Sequence, residues 1–518
     1  MTDKDFYFPS TGVSVEKKAV LLSIDNYLLP LRDNLCSYLS TPECRQEPVL
    51  SPSQSDRMAP DQLAAHFYGA VLFEEGKYRM WYYANSLEDP DAPYDREKHT
   101  IGPVCYAESV DGIAWEKPSL GQVEFRGSKD NNAIALPDEQ TEGVHVIRDE
   151  SDPDPQRLYK MVYNAWNGKT WVFRTATSSD GIDWKAADTF AIDDFLETGG
   201  LYKFNDLYVV NGQRILYSDG GHRSGRQGNA VLSPNFDDWI PGHTDAFLLP
   251  EPEHPADRGH LKPYDQVHVG VSAASFGNVL VGLYGIWHNA APYEEKQDIN
   301  GWFAHGRTSC DLGLVISNDG LHFREPVKGK VYISQFDTQV TPIPGKRYPT
   351  VLVQSGNGIL NVGDETRIYH GRWRNSDYGQ GYLGEVALAI LPRDRWGAIG
   401  IGPSNLFPED KDPPPPKNSG SVWSAPVRLP ASGCQVILNA EQTSGLRVEI
   451  SDENFQLLPD YSGDQSGKSS QESGLDCVVE WPAGDLLALS GKTVRVKINF
   501  EKKENLDPRL FALYLIVE

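Results

Sequence analysis

Glu142, Glu197, Asp206 and Asp265 are the residues of this chain whose type and placement suit them to chemistry. Each stands at or just before a short β-branched or aromatic run. Carboxylates that converge on one site can divide the work, one as protonated general acid and one as base or nucleophile. Cleavage of a glycosidic bond needs that pair, and a third carboxylate can set the orientation or proton affinity of the others. His66, His145 and His268 occupy comparable places, with Gln354 and Asn357 in a fifth. The longer loops add Trp166, His222, Arg223, Trp287, Arg372 and Trp373, a mixture that grips a sugar by hydrogen bonds and ring stacking.

Each residue taken alone has a plainer reading. A carboxylate before a strand usually forms a turn, an interior histidine usually bonds backbone, and a tryptophan packs between elements. Only convergence at one place turns these groups into a site, so the elements that carry them decide.

Those elements read as strands. Tyr78–Tyr83, Leu158–Tyr163, Arg214–Tyr217, Val279–Tyr284 and Arg367–His370 are short, aromatic or β-branched, and bounded by Gly, Asn, Asp or Pro. No helical stripe exceeds two or three turns. A repeated turn organises them: Ser109-Val-Asp-Gly-Ile-Ala-Trp115, Ser179-Asp-Gly-Ile-Asp-Trp184 and Ser317-Asn-Asp-Gly-Leu-His-Phe323, with Phe236–Trp239 and Pro392–Trp396 in the same place. From Asp111 through Asp180, Asp238 and Asp319 to Asp394 the gaps are 69, 58, 81 and 75 residues. Units of that length with four strands each suggest propeller blades.

The expected fold is all-β, a five-bladed β-propeller followed by a β-sandwich. Residues 1–59 form an arm that packs on the propeller, 60–408 the propeller and its site, 409–418 a proline-rich linker, and 419–518 the sandwich. Asp206 and Asp265 then open the inner strands of units three and four, pointing into the axial funnel with Glu142.

Composition narrows the ligand. The net charge of 48 − 72 = −24 argues against nucleic acid and anionic membranes as partners. A small-molecule or oligosaccharide substrate is expected instead. Six cysteines without CxxC spacing fit a reducing compartment. No apolar run approaches the roughly 20 residues of a membrane span, and Met1–Ser10 has no apolar core of a signal. A cytoplasmic location is expected, and no motif points to nucleotide, haem or flavin.

The Ser-x-Asp-Gly-x-x-Trp turns, the terminal Gly384–Trp396 segment and the alternating strands beyond it resemble the five-bladed propeller glycosidases. Within that group the chain most resembles the family 32-like proteins, relatives of invertase and levanase with a C-terminal sandwich. The resemblance implies a glycoside hydrolase or transglycosidase, with Glu197 a candidate acid through Glu197-Thr198 in place of the family's Glu-Cys pair. It also implies that a divalent cation such as calcium could sit on the axis, with His145, Asp265 and His268 as its ligands. Phe67-Tyr-Gly-Ala-Val71 occupies the place of the family's Asn-Asp-Pro-Asn-Gly motif, and Arg148-Asp149-Glu150 is a loose echo of its Arg-Asp-Pro. These departures indicate another sugar specificity. Two alternatives stand beside hydrolysis: a carbohydrate-binding propeller without catalysis, and a glycoside phosphorylase using His222, Arg223 and Arg226, or His370, Arg372 and Arg374, to hold phosphate.

Overall fold

The computed structural model describes residues 12–517 apart from 93–98, 193, 218–222, 241, 250–265, 289–308, 345–348, 375–381 and 403–416. The protein is all-β. Among the described residues the helical segments are single three-residue 3-10 turns, such as Pro155–Arg157 and Gly356–Gly358.

Five antiparallel meanders follow one another. The first runs Ala64–Glu74, Lys77–Leu87, His99–Ser109; the second Thr141–Arg148, Tyr159–Trp166, Trp171–Ser178, Lys185–Ala186. The third is Glu197–Phe204, Leu207–Tyr217, Arg223–Ser233, Thr244–Phe247, and the fourth Gln266–Ser275, Leu280–His288, Ser309–Ser317, Val331–Ile333. In the fifth, an inner strand split into Val351–Val353 and Ile359–Val362 pairs with Glu365–Arg374, then Leu383–Pro392, then the distant Glu43–Cys44. The leading strand of each meander packs beside that of the next, and the fifth returns to the first.

The repeated turns weld neighbours together. Ser109 Oγ accepts from the Gly112 amide at 2.9 Å, and Asp111 Oδ1 accepts from the Ile113 and Ala114 amides at 2.8 Å. Ser178 with Asp180 and Ser317 with Asp319 repeat this arrangement, and Asn235 takes the Asp role after Ser233. The preceding meander then donates to the turn glycine's carbonyl: Tyr369 to Gly112 at 2.8 Å, Trp81 to Gly181 at 2.9 Å and Tyr202 to Gly320 at 3.0 Å. Trp81 is fully buried and lies edge-on to Trp184 at 6.5 Å. Trp81→Ala should therefore cost about 3–5 kcal/mol in chemical denaturation, as large aromatic truncations in a core do. A cost below 1 kcal/mol would show that the turn is not what joins the first two meanders.

Two six-stranded sheets share the core at the C-terminal side, where Val422, Val496 and Ile498 meet Val436, Leu438 and Leu513. Here the structure corrects the expected boundaries. Residues 1–59 are not simply an arm on the meanders. Val13–Ser14 pairs with Val427–Arg428 and Lys18–Leu22 with Arg509–Val517; Leu31–Asp33 pairs with Ser419–Trp423 and Leu35–Leu39 with Gly397–Ile401. The N-terminal strands complete these sheets because Ala19, Leu21, Leu28 and Leu29 fill their core. Gly397–Ile401, expected within the propeller, likewise joins a C-terminal sheet, and Pro413–Pro416 lies outside the described residues. Val20, Leu22 and Tyr514 on the outer face of one sheet pack with Val281, Leu283 and Trp396 of the meanders.

Candidate active site

The five leading strands all break at one level. Pairing jumps from His66 to Ala70, slips between Glu142 and His145, and skips between Thr198 and Gly200. It jumps again from His268 to Val271, and the 3-10 turn Gly356–Gly358 splits the fifth. Bulges re-aim side chains and are frequent beside active sites. Val269 sits at φ +57°, a left-handed conformation that is costly for a β-branched residue. The breaks are pinned by side chains reaching over from other meanders. Asn164 Oδ1 accepts from the Thr198 amide at 2.7 Å, Asn357 donates to the Leu201 carbonyl at 2.8 Å, and Gln354 donates to the Gly270 carbonyl at 3.0 Å.

Glu142 and Glu197 are brought together at this level. Gln213 donates to Glu197 Oε2 at 2.8 Å. Burial pushes the proton affinity of Glu142 well above the ordinary carboxylate range, and the neighbouring Glu197 charge pushes it further. Burial raises Glu197 as well, but the Arg226 guanidinium opposes the rise. Both carboxyls are thus raised, and only Glu197 has a guanidinium opposing the rise.

Aromatic and imidazole rings wall the opposite side. His66 stacks on Tyr83 at 4.9 Å and its Nε2 is bonded to the Tyr382 hydroxyl, with Trp373 edge-on at 6.0 Å. Tyr68 lies 5.7 Å from Tyr83 and 6.2 Å from His268. His268 faces Trp287 at 4.7 Å, and the Arg226 guanidinium lies over Trp287 at 4.5 Å. Burial pushes His66 down to about 3 and His145 down to about 4, and lowers His268 well below its usual value. All three imidazoles are neutral at physiological pH.

The other expected site residues separate. Asp206 is not at the axis: with Asn205 it forms the exposed two-residue turn at the far end of Glu197–Phe204, both residues at positive φ. Asn211-Gly212, a pair whose residue types favour a tight turn, instead lies inside Leu207–Tyr217, where a Cβ on Gly212 would stand 2.4 Å from the Glu197 carbonyl oxygen. Asp149 sits at the same far end, bonded by Lys203 at 3.1 Å, so Arg148-Asp149 carries no site chemistry. His145 spends Nε2 on the Thr198 carbonyl at 3.1 Å. Arg372 is wholly buried and bonded to Glu385 at 2.7 Å, and His370 is bonded to Thr338 at 3.1 Å, so neither can receive phosphate. Trp287 is buried beneath His268, whereas Trp166 is 41% exposed at the rim. Asp265, His222 and the Arg223 side chain lie outside the described residues. Among the described residues no group of three His, Cys, Asp or Glu is arranged to hold a metal, and the expected axial ligand set includes Asp265.

Tyr68, Tyr83, Tyr382 and Gln213 escape a reading of the sequence. The one local signal was Gly69, a glycine inside a strand-like run, which marks a bulge. A cavity of about 370 Å³ opens at the other mouth of the axis, floored by Asn357 and away from the carboxylates.

No protein-family profile matches the chain. It is 30% identical over 169 residues to Rv1502, an uncharacterized protein of Mycobacterium tuberculosis, and so spans about half (50%) of that relative's length and 32% of its own. Among solved structures it is similar to the β-1,2-mannobiose phosphorylase of Listeria innocua (14% identity, 69% of this chain and 97% of that one, TM-score 0.41). It is also similar to a glycosyl hydrolase from Bacteroides ovatus (15% identity, 70% and 97%, TM-score 0.40). A third is the family 43 arabinoxylan arabinofuranohydrolase of Bacillus subtilis (9% identity, 91% and 99%, TM-score 0.36). Among the described residues no helix is long and apolar enough to cross a membrane.

Proposed function

We propose that this chain is a carbohydrate-active enzyme that breaks a glycosidic bond at the axis of a five-bladed propeller. Glu142 gives its proton to the leaving oxygen, and Glu197 acts as base or nucleophile. The observation that carries this reading is the pair itself: two half-buried carboxylates on adjacent bulged strands, both raised in proton affinity, with Glu142 pushed further by the Glu197 charge and Glu197 drawn back by Arg226. Environments that push two titratable groups apart mark the acid and the base. The ring-lined wall of His66, Tyr83 and Trp373 suits an oligosaccharide end, and Trp166 at the rim offers a further stacking surface.

Phosphorolysis is the second reading, favoured by Arg226 standing beside both Glu197 and His268. Phosphate would then replace the water that Glu197 activates.

A panel of oligosaccharides and aryl glycosides, with and without inorganic phosphate, separates these readings. Sugar release should follow a bell-shaped pH profile. The rising limb reports ionisation of Glu197 and the falling limb loss of the Glu142 proton, both above the ordinary carboxylate range. Turnover only with phosphate, yielding a sugar phosphate, selects phosphorolysis. Sugar binding without turnover on any substrate would leave a binding module.

A further inference from the structure

The stretch Phe67-Tyr68-Gly69 is a wide break in a leading strand, because three residues lie between the pairs His66–Tyr83 and Ala70–Trp81. Phe67 turns its ring back into the core. Gly69 lets the backbone pass the second strand, since a Cβ there would lie 2.3 Å from the Trp81 carbonyl oxygen. The Gly69 carbonyl accepts from the Ser355 hydroxyl of the neighbouring fifth meander. Tyr68 is left facing the site, packed with Tyr83 and Val269. The Val269 amide donates to Gln213 Oε1 at 2.9 Å, and the same Gln213 donates to Glu197. Tyr68 therefore stands one packed residue from the group that orients the base. Its phenol is kept neutral by burial first, and then by the charges of Glu197 and Glu142. Among the described residues its hydroxyl makes no hydrogen bond, so Tyr68 offers an available donor within electrostatic reach of both carboxylates.

We propose that Tyr68 is a catalytic residue that touches substrate, its hydroxyl donating a hydrogen bond to an oxygen of the terminal sugar beside the reacting carbon and holding that carbon between Glu142 and Glu197. This rests on the reading of the carboxylate pair as the acid and the base. A fixed donor at this place contributes by orienting the ring, and a buried donor matched to a substrate oxygen discriminates strongly when that partner is lost.

Tyr68→Phe keeps the ring and its packing, so the variant should melt within a few degrees of the wild type. On the best glycoside of the panel, kcat/KM should fall about ten- to a hundredfold, with both limbs of the pH profile in place. Rates within twofold of the wild type overturn the proposal. A displaced acid limb with an unchanged plateau also overturns it, because Tyr68 would then act only through Glu197. If the Phe variant does not fold, Tyr68→Met supplies the same comparison, an apolar side chain that fills the place without a donor. Glu142→Gln and Glu197→Gln, measured alongside, separate the two levels. Full rates in those variants defeat the carboxylate reading, whereas inert carboxylate variants beside a fully active Tyr68→Phe defeat the tyrosine alone. A wild type inert on the whole panel overturns both.

Discussion

Glu142→Gln should abolish most turnover and yet make the protein more stable at neutral pH. The amide keeps the shape of the carboxylic acid and removes its transferable proton, so kcat should fall by roughly 10²–10⁴. The stability effect follows from the raised proton affinity of Glu142 in the fold. A carboxyl whose folded value lies above its unfolded value of about 4.3 stabilises the fold fully at low pH. That contribution is lost as pH rises, because the buried site resists the charge. Glutamine never takes the charge, so the variant should melt at or above the wild-type temperature at pH 7 to 8, with the gap closing towards pH 4. Glu197→Gln should lose as much turnover while leaving sugar binding largely intact, since the rings and Arg226 stand apart from the reacting oxygen. Thermal melts and initial rates across this pH range check both statements. Activity lost together with a lowered melting temperature would assign Glu142 to the architecture.

Removal of residues 1–40 should leave no cooperatively folded protein. Those residues supply Val13, Val15, Ala19, Leu21, Leu28 and Leu29 to the core between the C-terminal sheets, and Val20, Leu22 and Ile24 to the layer against the meanders. A fully buried aliphatic side chain contributes about 1.5–3 kcal/mol. The sum is of the order of a whole domain's net stability, about 5–15 kcal/mol. Four strand partners would also be left as open edges, which invite aggregation. The checks are size-exclusion chromatography and a denaturant titration of the truncated chain. A soluble monodisperse protein with a native-like transition would restore the picture of a peripheral arm. Leu21→Asp makes the same point without truncation, since it places a charge at a fully buried position.

How much of this was legible beforehand depended on the range of the interaction. Asp111, Asp180 and Asp319 announced their turns because each carboxylate is satisfied by amides two and three residues on, and a Trp or Phe follows each at the same spacing. Short aromatic and β-branched runs bounded by Gly, Asn, Asp or Pro likewise placed the strands. Glu142 and Glu197 were found because they begin such strands. Asp206 was misplaced because Asn211-Gly212 carries a strong turn signal. That glycine serves instead the close passage of the Glu197 backbone, a contact between strands that no local pattern displays.

The amino-acid sequence by itself determined the all-β class, the succession of aromatic strands and Asp-Gly turns, and two acidic residues in the right kind of place, since all of these rest on neighbours a few residues apart. Only the tertiary structure decided which groups share the site. Tyr68 faces the axis through a bulge pinned by Ser355, 287 residues later. Arg372 is withdrawn from the site by Glu385 and Gln46, and residues 13–39 complete sheets built mainly from residues beyond 396. The proton affinities of Glu142 and Glu197 belong to the same class of property, because burial and a facing charge exist only once distant strands have closed around them.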